Sequence, residues 1–132
     1  RSRRQRQMCI RDRIIIENKR KVMTMTQTLQ SIYAFNQFIQ SNELAVIHVM
    51  RDHCSVCHAV LPQLQDLLQE YPFAKLGVVN QSHVEEIAGE LSIFTVPVDL
   101  IFLNGKEMHR QGRFIDMQSF EHQLKLMHDS LK

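Results

Sequence analysis

No apolar run in this 132-residue chain approaches the roughly 18 residues that a membrane span requires, and Ile14-Ile15-Ile16 is too short for the apolar region of a secretory signal. Both absences point to a cytosolic setting. Repeats and low-complexity segments are also lacking, and nothing marks a second domain. An apolar content of 44% is enough for one domain with a sizeable core. Cysteine is scarce, at three residues, and a single Cys-x-x-Cys is present where a structural zinc site normally needs four ligands. No metal or other cofactor is expected.

The formal net charge of +2 conceals a split. Residues 1–22 hold nine Lys/Arg against two acids, and the rest of the chain holds seven against twelve. A basic arm on an acidic domain would suit nucleic acid or an anionic membrane. However, residues 3–13, RRQRQMCIRDR, resemble the translation of a transposase adapter used in sequencing libraries. We therefore read 1–22 as a non-native or disordered N-terminal extension, Met23 or Met25 as the natural start, and 23–132 as the domain. On that reading neither nucleic acid nor membrane is a partner, and Cys9 plays no part. A genuine disordered basic tail is the alternative.

Along the domain, residues 25–29 alternate weakly as a short strand, and Ser31 is placed to cap a helix with Ile32, Phe35, Phe38 and Ile39 on one face. Ser41-Asn42 ends it. Leu44 to Met50 is apolar at nearly every position, as a central strand covered on both faces should be. Residues 55–70 place Val56, Val60, Leu61, Leu64, Leu67 and Leu68 at helical spacing, with Pro62 as a kink and Tyr71-Pro72 as a stop. Residues 73–79 form a third strand. Ser82-His83-Val84-Glu85 has the form of a capping box opening a helix with Val84, Ile87, Ala88 and Leu91 inward. Strands 98–103 and 106–112 are joined by Asn104-Gly105, a type I′ turn pair. Asp116 caps a last helix burying Met117, Phe120, Leu124, Met127 and Leu131.

The chemistry lies in Cys54-Ser55-Val56-Cys57, where the central strand gives way to a helix. Two thiols on a first helical turn can close into a disulfide without large backbone movement, and the helix dipole favours thiolate on the first. Cys54 then attacks and Cys57, most of a turn further in, releases.

The β-α-β-α-β-α-β-β-α order and its landmarks resemble the thioredoxin family over residues 25–132. The dithiol follows the central strand, Pro62 stands five residues after Cys57, Val96-Pro97 occupies the place of the family's cis-proline loop, and 102–106 and Gly112 fit the hairpin that follows. The resemblance implies an α/β thioredoxin fold, a central mixed sheet flanked by helices on both faces. It also implies a thiol-disulfide oxidoreductase with Cys54 as exposed nucleophile and Cys57 as buried resolving thiol. Pro97 would wall the site, and the Val96 backbone would pair with a substrate strand. Partners would be disulfide-containing proteins or low-molecular-weight disulfides and an unidentified reductase, around a monomeric bacterial protein.

The chain departs from that family at several positions. It has no tryptophan, and His53 stands before the first cysteine; Ser55-Val56 replaces the usual Gly-Pro, leaving the substrate contacts of His53 open. Arg51, His53 and His58 favour thiolate while Asp52 opposes them. His48 replaces the family's buried acid, six residues before Cys54, and Asp99 interrupts an apolar strand two residues after Pro97. A buried His48–Asp99 pair would serve proton transfer, the alternative being that each is satisfied separately. Lys75 is read either as the counterpart of a family lysine or as a side chain reaching solvent. His83, His109, His122 and His128 are read as surface residues. Cys54 to His58 also matches a c-type haem attachment signature, which a cytosolic setting disfavours. The rival function is a non-catalytic thioredoxin-like peptide-binding module.

Overall fold

The computed structural model describes residues 26–131, so the basic arm, Cys9, Met23 and Met25 lie outside the described residues. Nine elements follow in order: β1 (Gln27–Thr28), α1 (Ile32–Ser41), β2 (Leu44–Met50), α2 (Ser55–Leu68), β3 (Ala74–Asn80), α3 (Glu86–Glu90), β4 (Val98–Leu103), β5 (Lys106–Gly112) and α4 (Met117–Ser130). The sheet runs β1-β3-β2-β4-β5. β3 is parallel to β1 and β2, and β4 is antiparallel to β2 and β5.

Leu44 to Val49 are all buried, and β2 is paired along both edges. Its alternation divides the core in two. Ala45, Ile47 and Val49 face α1 and α3 with Phe35, Phe38, Ile39 and Ile87. Leu44 and Val46 face α2 and α4 with Val60, Leu64, Phe120 and Leu124. These two layers on one sheet are the helices on both faces that the sequence implied.

Local chemistry sets the ends of the elements. Ser31 Oγ accepts the Ala34 N–H at 3.0 Å to start α1, and Asp116 Oδ1 accepts from Gln118 and Ser119 to start α4. Asn104 and Gly105 both have positive φ, 53° and 81°, as a type I′ turn requires. At that position glycine avoids the strain a side chain would meet.

Five expectations need correction. No capping box forms: α3 begins at Glu86, no side chain caps it, and Ser82 Oγ instead accepts the Asp52 N–H at 3.1 Å. A polar turn competed for the serine and won. Val56 points outward, 54% exposed, because the first turn of α2 overhangs the sheet's end. The third strand is shifted by one residue, leaving Phe73 outside it. His128 is buried: its Nε2 accepts the Phe73 N–H at 3.3 Å, and its ring stacks on Phe73 with centroids 4.7 Å apart. His109 is likewise half-buried beside Phe120, and burial pushes its imidazole below the ordinary value.

Gly77 is a point of close approach. A Cβ there would meet Leu29 Cδ1 at 2.8 Å and Phe38 Cε2 at 2.9 Å. Gly77→Ala is expected to cost about 1–3 kcal/mol through overpacking of the α1 face, read as a lower urea midpoint with unchanged slope.

Candidate active site

β2 ends at Met50, and three residues turn the chain into α2, whose N-cap is Cys54. His53 makes that turn with φ of 63°, a left-handed conformation uncommon for a residue with a side chain. Cys54 Sγ accepts the Cys57 N–H at 3.2 Å, and the Cys54 carbonyl accepts that of His58 at 3.2 Å. The two cysteines are joined in a disulfide, their Cα atoms 5.3 Å apart. Cys57 is fully buried and Cys54 is only 8% exposed, so the first cysteine, expected to be open to solvent, is itself buried in the disulfide form. The first turn of α2 holds no acid, and nothing within it opposes the positive end of the helix dipole.

Val98 pairs with Val49 on one side and Gly112 on the other. Pro97 therefore lies beside the end of β2 from which the disulfide loop departs. The Val96-Pro97 bond is cis, and the Arg113 N–H donates to the Pro97 carbonyl at 2.8 Å. Pro97 is buried, Val96 half-buried and His53 exposed.

His48 and Asp99 are direct register partners across β2 and β4. His48 Nδ1 lies 2.6 Å from Asp99 Oδ1, and both side chains are fully buried. They face the side of the sheet that α2 and α4 cover, the parity of Val46 and Ile101. His48 Nε2 and Asp99 Oδ2 have no partner among the described residues. Burial pushes the Asp99 carboxyl above its ordinary 3.8, outweighing the downward pull of the hydrogen bond and charge of His48. Lys75 takes no part: it has the opposite strand parity, and its Nζ donates to the Pro72 carbonyl at 3.3 Å.

The family model for thioredoxin matches residues 24–125. The chain belongs to the thioredoxin family. It is 43% identical over 97 residues to the thioredoxin-like protein YdfQ of Bacillus subtilis, covering 74% of this chain and 87% of that one. Thioredoxin AMT13 of Alternaria alternata is 30% identical over 83 residues, 62% of this chain and 70% of its own. Among solved structures, Fasciola hepatica thioredoxin superposes with a TM-score of 0.71 at 20% identity, covering 77% of this chain and 99% of its own. Oxidised mitochondrial thioredoxin 3 of Saccharomyces cerevisiae gives 0.69 at 22%, covering 79% and 97%. The likeness to these two structures establishes the fold, and the family with its paired cysteines supports thiol-disulfide exchange in general. No helix among the described residues is long and apolar enough to cross a membrane.

The sequence reading did not single out Phe94, Phe114 and Arg113, which surround the proline loop. The two rings are 92% and 81% exposed. Phe94 just before Val96-Pro97 and Phe114 just after the last strand, each outside any periodic apolar pattern, were the available signal. The Asp52 carboxylate is contacted by Asn80 Nδ2 at 2.9 Å and His83 Nε2 at 3.6 Å, a pairing with no signal in the local sequence.

A carboxyl whose folded-state value is raised holds its proton more tightly when folded, so its stabilising contribution is complete below 3.8 and is lost as pH rises through the folded value. Wild type is accordingly expected to gain stability relative to Asp99→Asn as pH falls from neutrality towards about pH 4. Urea midpoints of the two proteins across that range provide the check.

Proposed function

We propose that this chain is a protein-disulfide reductase of cell redox homeostasis, working through a mixed disulfide at Cys54. The observation that carries the reading is the Cys54–Cys57 disulfide at the start of α2, with Cys57 fully buried and Cys54 the more accessible of the two residues. In the reduced protein the Cys54 thiolate attacks one sulfur of a partner disulfide. The partner's S–S bond breaks, and its leaving thiolate takes up a proton. Cys57, losing its proton, then attacks Cys54 of the mixed disulfide. The Cys54–Cys57 bond forms, the second partner sulfur leaves as a thiol, and two electrons have passed to the partner.

Removing a proton from a sealed thiol requires an acceptor inside the protein. The His48–Asp99 pair, with His48 Nε2 and Asp99 Oδ2 unpaired among the described residues, is our candidate for that proton transfer. Val96, Pro97 and His53 would contact the substrate. The substrates on this reading are disulfide-containing proteins or low-molecular-weight disulfides. A separate reductase restores the dithiol in a bacterial cytoplasm, and the protein acts as a monomer.

Turnover of a protein disulfide is expected to fall at least about a hundredfold in both Cys54→Ser and Cys57→Ser, as when the nucleophile of a covalent mechanism is removed. Cys57→Ser should in addition accumulate a mixed disulfide visible by mass. Equal activity in all three proteins would favour the peptide-binding module instead.

A further inference from the structure

Phe94 stands three residues before Pro97, and Phe114 two residues after Gly112, the strand partner of Val98. Phe94 lies on the chain leading into the proline, and the loop bearing Phe114 is tied to it: the Arg113 N–H donates to the Pro97 carbonyl and the Phe114 N–H to that of Gly112, each at 2.8 Å. Val56, on the first turn of α2, adds a third exposed apolar side chain at the same end of the sheet. The loop bearing Phe94 is tied down. Ile93 is buried and donates to the Ala88 carbonyl at 2.8 Å, and Arg110 donates to the carbonyls of Leu91 at 2.7 Å and Ser92 at 3.3 Å. A ring held out in water on a fixed loop is already in position for a partner, and little ordering remains on binding.

Two unpaired arginines stand near these rings. Arg51 and Arg113 are exposed, and neither is in an ion pair among the described residues. The acids near them in sequence are otherwise engaged: Asp52 is bound by Asn80 and His83, and Asp116 caps α4. The Arg113 guanidinium lies 5.4 Å from the Phe114 ring centroid, which keeps cation and ring together. This cationic rim belongs to a domain in which residues 23–132 carry seven Lys/Arg against twelve acids. A basic partner would be drawn to the rest of the surface, and an acidic one to this rim.

We propose that the rim receives an extended, acidic, cysteine-bearing segment of a partner polypeptide, its apolar side chains on Phe94 and Phe114 and its carboxylates towards Arg51 and Arg113. Val96 lies just ahead of the β4 ladder, so its backbone is placed to meet an extended chain. This deepens the dithiol reading and rests on it.

The test uses the reduced protein and two peptides of equal length. Each has one cysteine capped by mercaptoethanol and flanked by phenylalanine, and by either glutamates or lysines. Reaction rates at low salt are expected to favour the acidic peptide by about tenfold, a preference that shrinks towards unity in high salt. Arg51→Glu with Arg113→Glu should invert the acidic-to-basic ratio, a quantity from which changes in thiolate reactivity cancel. Phe94→Ala with Phe114→Ala should slow both peptides and leave the ratio in place. Equal rates for the two peptides, a faster basic peptide, or a ratio untouched by salt would overturn the proposal, and those three outcomes need no variant. Hydroxyethyl disulfide, small and uncharged, separates the two levels: failure of the wild type to reduce it rejects the dithiol reading itself. Its reduction with no preference between peptides rejects only the acidic partner.

Discussion

Strand β2 has neither a free edge nor a free face, and the geometry of the site descends from that confinement. Its register with β4 cannot slip by one residue without turning Ile47 and Leu100 out of one core layer and Val46 and Ile101 out of the other. The same lock that satisfies the core puts His48 opposite Asp99 and Val49 opposite Val98. Pro97 is thereby carried to the place where the chain leaves β2 for the disulfide. Packing of ordinary aliphatic side chains thus positions a proline, two cysteines and a buried ionisable pair that are far apart in sequence.

Much of this was legible beforehand, for identifiable reasons. β2, β4, β5 and α1 were readable to within a residue because each carries an unambiguous pattern or stop: a continuous apolar run, an Asn-Gly turn, a Ser31 cap. The juxtaposition of His48 and Asp99 was readable because each breaks the apolar pattern of its strand, and buried polar groups seek one another. One short-range motif failed. Ser82-His83-Val84-Glu85 satisfied the capping-box pattern, but its serine was taken by the backbone of Asp52, from a loop 30 residues away. His128 was misread because a single imidazole on a polar helix gives no hint that Tyr71 and Phe73 will close over it.

The site's electrostatics belong to tertiary structure even more completely. In sequence Asp52 lies among Arg51, His53 and His58 and looks like their counterweight. In space the Asn80–His83 turn takes hold of its carboxylate and backbone alike, and Arg51 makes no ion pair with it. Beneath them the sealed pair at His48 and Asp99 answers to a different environment, in which desolvation dominates and solvent screening is weak. One small region therefore holds two regimes, a screened cationic surface and an unscreened interior, with the disulfide between Cys54 and Cys57 at the boundary.

The direction of the strands has a consequence for how such a protein can change. Because β1, β2, β3 and β5 run one way and β4 alone is threaded against them, the connections after Thr28, Met50, Asn80 and Gly112 and the approach to Val98 all gather at one pole. The other pole is closed by the tight Asn104-Gly105 reversal and by the Asn104 N–H bonded to the Glu43 carbonyl at 2.8 Å. Substitutions in the loops of the crowded pole leave the ladder untouched, so the surface there can vary while the frame stays intact.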